Sequence, residues 1–233
     1  MLTSQVVFFY NKNLFAKAGV DGNAVKSWDD LLGAVKKLQA AGIVPIVAGG
    51  GDKWPLHFYW SHLAIRLGGK PAFDAAMAGQ GFAGETFVKS GELFKQLVDL
   101  KPFQPGFLGA TYPQSAGQFG DGKGAMMLML NGVLNTMRAN AADKVGIPDE
   151  KLGWFAFPSV PGGKGTPELV KRPILMNLAG NVSRSRYHQL FYDQMLGPSV
   201  GAVVNDVSVE LAGGRISPAD AANKVQQAWL QAN

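Results

Sequence analysis

Apolar and polar residues follow two rhythms along this chain. The run Val6 to Tyr10, inside SQVVFFYNK, is continuous, β-branched and aromatic, and predicts a buried strand. A short helix follows and stops near Gly19. SWDDLLGAVKKLQAAG predicts the clearest helix, with Leu31, Leu32, Val35 and Leu38 on one stripe. Ser27 can cap it, Asp30 completes a capping-box pattern, and Gly42 ends it. IVPIVAG then predicts a short buried strand broken by glycines.

Farther on, Pro55 suits the first turn of a helix through LHFYWSHLAIRLGG, ending at Gly68 and Gly69. GETFVKSGELFKQLVDL predicts another amphipathic helix, with Phe87, Leu93, Leu97 and Leu100 toward the core. YPQSAGQFGDGKGAMMLMLNGVLNTMRAN reads as helix, turn, buried strand and helix; GAMMLML is continuously apolar, as a strand covered on both faces would be. LGWFAFPSVPGGKG is a strand leaving into a Pro/Gly-rich connection. Residues 165 to 185 show no clean period and read as a connection. Three helices close the chain: YHQLFYDQML, SVGAVVNDVSVELAGG and SPADAANKVQQAWLQA, the last capped by Ser217 with Pro218 in its first turn. Strands alternating with helices predict an α/β fold with a mostly parallel sheet flanked by helices.

Composition narrows the function. The 233 residues are 47% hydrophobic and only 17% charged, enough apolar material for a sizeable core and too little charge for a disordered chain. The net charge is +5, yet the basic residues are scattered, which argues against a nucleic-acid stripe. Cysteine is absent, so disulfides and thiolate chemistry are excluded. No apolar run reaches the ~18 residues of a membrane span. The opening MLTSQVVFFYNK has neither the basic region nor the small-residue cleavage site of a signal peptide.

Several familiar chemistries find no support. GDGKGAMM and PGGKGTPE lack phosphate-loop spacing, and the first opens a strand. His57, His62 and His188 are the only histidines; the first two are not an i, i+4 pair, and no carboxylate stands at ligand spacing beside them, so no metal is expected. There is no Gly-x-Ser-x-Gly. Asp29 and Asp30 sit in a helix's first turn, where the dipole explains them. NVS at 181 to 183 matches a glycosylation sequon by pattern alone.

Aromatic residues remain. Trp28, Trp60 and Trp229 lie on predicted helices and read as packing. Trp54 stands in GGGDKWPLHFYW, between a strand end and a helix start, where ligands gather in open α/β sheets. An indole beside Asp52 and Lys53 offers a flat apolar face with polar neighbours, a combination that suits sugars. Core packing of Trp54 is the alternative.

VVFFYNKNLFAKAGV, SWDDLLGAVKKL, GDGKGAMMLMLNG and FPSVPGGKG, in that order, resemble the extracellular solute-binding proteins of carbohydrate ABC importers (family 1 type). The resemblance implies a type II periplasmic-binding-protein-like fold, in which two lobes clamp a sugar. This chain is similar to the second lobe only. Residues 1–233 would form one α/β lobe, with 1–164 its main part and 165–185 replacing the return to the missing first lobe. Residues 186–233 would be its closing helices. Such a chain would be a fragment or an engineered form, binding sugar weakly, on the order of millimolar or worse.

The resemblance also implies a site: Trp54 for stacking, with Asp52, Lys53, His57 and Asn131 for hydroxyl contacts. Relatives often carry a tryptophan soon after the NG motif, where this chain has Val133 and Leu134. No cofactor and no reaction are implied. The implied partners are a mono- or oligosaccharide, a membrane permease, and the missing lobe or a second copy; the implied location is periplasmic or extracellular. Two other functions stay open. A sugar hydrolase would need two facing carboxylates about 5–9.5 Å apart. An interaction lobe would expose apolar surface near the first strand and FPSVPGG.

Overall fold

The strand β1, Val6–Asn11, is the middle of three, and this explains its unbroken apolar sequence. In the computed structural model, which describes residues 6–164 and 191–233, β1 is flanked by β2, Met126–Leu130, and β3, Leu152–Ala156. Phe8 stands opposite Leu128 on one side and Phe155 on the other. Its ring stacks on Phe155 at 5.1 Å. Val7, Phe8 and Phe9 are fully buried; each phenylalanine gains roughly 1.5–3 kcal/mol from leaving water.

Both ladders are antiparallel, which corrects the expected mostly parallel sheet while leaving the α/β class intact. Strand–helix alternation implies parallel pairing only where one short crossover joins neighbouring strands. Here several helices lie between β1 and β2, and such an excursion can return in either direction. Parallel pairing survives as single bridges, from Ile46 to Phe103 and Met126 and from Ser27 to Ser159. The expected strand at IVPIVAG is therefore an extended buried segment, not a ladder strand. Pro45 has no N–H to donate, although its carbonyl accepts from Met126 N at 3.0 Å.

The chain forms two compact units. Among the described residues the first comprises 6–55 and 102–159, and the second 56–101, 160–164 and 191–233. The first holds the sheet, α1 (Lys12–Lys17), α2 (Trp28–Ala40), α5 (Tyr112–Gly120) and α6 (Val133–Asn140). The capping box of α2 forms as expected between Ser27 and Asp30. That helix buries Trp28, Leu31, Ala34, Val35 and Leu38, and Trp28 stacks on Phe157 at 5.9 Å.

The second unit is helical. It contains α3 (Trp54–Ala75) beyond Pro55, α4 (Glu85–Asp99), a short α7 (Tyr192–Met195), α8 (Gly197–Ala212) and α9 (Pro218–Ala232). Helix α3 breaks at Gly69 (φ 60°, ψ −158°), where a stop was expected, then resumes to Ala75 with Pro71 in the new first turn. Trp60 is fully buried and its Nε1–H donates to the Phe87 carbonyl at 3.2 Å. Tyr59 stacks on Phe94 at 5.1 Å, nearly parallel. Helix α9 packs on α4 and α8, and Ser217 caps it by accepting from Asp220 N. The connection at 165–185, the sequon at 181–183, His188 and the start of YHQLFYDQML lie outside the described residues.

Candidate functional site

Residues 49–54 form a loop of the first unit that is held by a segment far away in sequence. Gly50 N donates to Phe107 O at 2.8 Å and Gly51 N to Ala110 O at 2.9 Å. The approach is too close for side chains. A Cβ on Gly49 would lie 2.8 Å from Ser115 Oγ, and one on Gly51 would lie 2.8 Å from Gly109 O. The next residue, Asp52, accepts the Tyr112 backbone N–H through Oδ2 at 2.6 Å. That N–H belongs to the first residue of α5, which has no partner inside its own helix.

Lys53 follows with φ 62°, the left-handed region that few side chains adopt. Its N–H donates to Gly50 O, and Trp54 N–H donates to Asp52 O at 2.7 Å. This tight turn presents the indole of Trp54 to the Tyr112 ring, edge-on, at 5.1 Å and 61°. The Tyr112 hydroxyl donates in turn to Thr136 Oγ1 at 3.2 Å on α6. Burial pushes the Tyr112 phenol above its ordinary pKa, so it stays a neutral donor.

Asn131 follows β2 in the turn before α6. Its Oδ1 is buried and accepts no hydrogen bond among the described residues. Such an oxygen costs about 1–3 kcal/mol until a donor reaches it.

Of the expected site residues, the structure gathers Asp52, Lys53 and Trp54 on one loop, with Asp52 and Lys53 exposed and Trp54 half-buried. Asn131 belongs to the same unit. His57 does not fit the expectation. It falls in the second unit, is 1% exposed, and its Nε2 lies 3.5 Å from Asp193 Oδ1, with the ring against Phe58. The imidazole is enclosed by side chains of that unit. Tyr112 and Thr136 were not foreseen; the only signal was Thr111-Tyr112-Pro113-Gln114, whose capping box fixes where α5 begins.

Helix α5 lines a shallow open groove of about 520 Å³ with Gln114 and Gln118 and, beyond the helix, Asp121 and Lys123. It has no aromatic wall and includes none of the expected residues. Among the described residues, no three His, Asp or Glu side chains gather in a way that could hold a metal ion. Nor is any described helix long and apolar enough to cross a membrane.

Known proteins share this architecture. A solved structure from work on xylan utilization by the thermophilic bacterium Caldanaerobius polysaccharolyticus superposes with a TM-score of 0.85 at 20% identity, covering 96% of this chain and 70% of that one. A chitin oligosaccharide binding protein gives a TM-score of 0.83 at 21% identity, covering 98% and 70%. An ABC transporter extracellular-binding protein of Pyrococcus horikoshii is 29% identical over 124 residues. That match takes in 53% of this chain and only 28% of the relative. The model of the bacterial extracellular solute-binding proteins matches residues 1–184, most of the chain, and the chain belongs to that family.

Proposed function

We propose that this chain is the sugar-capturing component of an ABC import system, working outside the cytoplasm and handing its ligand to a membrane permease. Capture is non-covalent. A pyranose ring lies on the Trp54 indole, with its C–H face against the apolar surface, while Lys53 and the Asn131 amide take hydroxyl groups. No bond of the sugar is broken, and no cofactor takes part.

The observation that carries this reading is the half-buried Trp54, held at a polar loop beside exposed Asp52 and Lys53. A flat apolar face that stays partly open and is ringed by hydrogen-bonding groups matches a saccharide's two-sided chemistry. Relatives in fold lend support: one is named a chitin oligosaccharide binding protein, and a sugar transporter from Arthrobacter chlorophenolicus was solved with bound laminaribiose. One stacking wall and few polar neighbours supply few contacts, so affinity on the order of millimolar is expected.

Calorimetry with chito-, xylo- and laminari-oligosaccharides and stachyose tests the reading, alongside tryptophan fluorescence. At least one sugar should bind the parent, and Trp54→Ala should abolish the response. A parent that binds none of them at concentrations about tenfold above that range, or a Trp54→Ala protein that binds as well, refutes it.

A further inference from the structure

We infer that Asp52 is a positioning residue: its carboxylate latches loop 49–54 to the start of α5 and so fixes the Trp54–Tyr112 ring pair. The sequence suggested instead that Asp52 would bind a ligand's hydroxyls.

Three observations converge on the latch. The carboxylate is already committed, with Oδ2 2.6 Å from the Tyr112 N–H, sixty residues away. An ionised acceptor at a helix N-terminus is favoured both by the charge-assisted bond and by the helix dipole. Next to it, Lys53 holds φ 62°, a conformation that persists in a lysine only when its surroundings over-determine it. On one side Gly50 accepts the Lys53 N–H, and on the other Asp52 is pinned through its side chain. Without that pin Lys53 can relax to negative φ, and the peptide leading into Trp54 turns with it. The indole would then leave the 5.1 Å edge-on contact with Tyr112. Because the same tyrosine supplies both the backbone donor and the ring, one residue sets the loop's place and the indole's angle together.

The inference rests on the carbohydrate reading only for its second readout. The first is made without sugar: the indole N–H resonance of Trp54, assigned by its disappearance in Trp54→Phe. Asp52→Ala should shift that resonance. Asp52→Asn should leave it near the parent position, because an amide oxygen can still accept from the Tyr112 N–H. Asp52→Ser, too short to reach, replaces the alanine variant if that protein does not fold. The second readout is a titration with laminaribiose, chito-oligosaccharides and stachyose. Asp52→Ala should weaken binding about tenfold or more, and Asp52→Asn should stay within about twofold of the parent.

An unmoved Trp54 resonance in Asp52→Ala overturns the latch. An Asp52→Asn protein that keeps the resonance but loses sugar as completely as Asp52→Ala overturns the positioning role, since that marks a direct carboxylate contact. If the resonance shifts as expected while no sugar binds even the parent, the latch stands and the sugar reading falls.

Discussion

Tyr112 gives its hydroxyl hydrogen to Thr136 across 3.2 Å, joining the first residue of α5 to the middle of α6. Thr136→Val keeps the shape and removes the acceptor, leaving a half-buried phenol with one bond fewer. Urea unfolding should show a loss of about 1 kcal/mol. Tyr112→Phe should lose a similar amount. The double variant should lose little more than either single one, because both changes delete the same bond. Fully additive losses would mean that the hydroxyl pair contributes nothing.

Gly51→Ala tests the close approach behind the loop. The new methyl would lie 2.8 Å from Gly109 O and 3.0 Å from Ala110 O, both backbone atoms that cannot swing aside. Overpacking of this kind costs about 1–3 kcal/mol. Gly33→Ala, where the methyl meets nothing within 4 Å, serves as the control and should be neutral or slightly stabilising. Thermal unfolding of the two proteins side by side decides the matter.

Ser27 and Asp30 close the N-terminus of α2 reciprocally, and the Ser27 bonds hold the Asp30 carboxyl below its usual pKa. Ser27→Ala should therefore cost about 1 kcal/mol at neutral pH. Stability contributed by a depressed carboxylate is present above its unfolded pKa, near 4, and disappears as pH falls through the folded value. The difference between parent and Ser27→Ala should accordingly shrink below about pH 4. A difference independent of pH would assign the whole effect to the serine's own bond to Asp30 N.

His62 behaves in the opposite way to a salt-bridged histidine. Burial, reinforced by Arg66 and His57, holds its pKa down to about 3, and Nδ1–H donates to the Phe58 carbonyl at 2.9 Å. An unfolded histidine titrates near 6.5. Between those values the unfolded chain takes up a proton that the folded one refuses, so stability drops as pH falls from about 6.5. The limit is about 1.4 kcal/mol per pH unit, and screening by water around a partly exposed ring keeps the loss below it. His62→Gln should unfold at nearly the same urea concentration at pH 7 and pH 5, apart from the shared carboxylate contribution, while the parent's midpoint drops further.

Much of the fold was legible because it is written locally. Ser27-x-x-Asp30, the glycines at 42 and 69, and the apolar run at Val6 to Tyr10 each specify their own element. Strand direction was not legible, since the side-chain period of a strand is the same in parallel and antiparallel pairs. The burial of His57 was not legible for a related reason. Residues 55–61 are all buried, so α3 shows no polar face there from which to read a phase. Asn131 could be placed at a strand end from NG alone, but its unsatisfied oxygen required the packing around it. The bond between Asp52 and Tyr112 spans sixty residues and leaves no periodic trace.

Pro45 has one more consequence. The tract Met126–Leu130 is apolar, uncharged and β-forming, the composition that invites edge-to-edge assembly between molecules. Where β2 begins, its outer edge is already occupied: Val47 N donates to Met126 O, and Met126 N to Pro45 O. The proline adds no outward donor of its own, so the segment caps the edge without offering a fresh template. Substitutions that loosen residues 43–48 should thus show themselves first as aggregation on concentration, before any loss of ligand is seen.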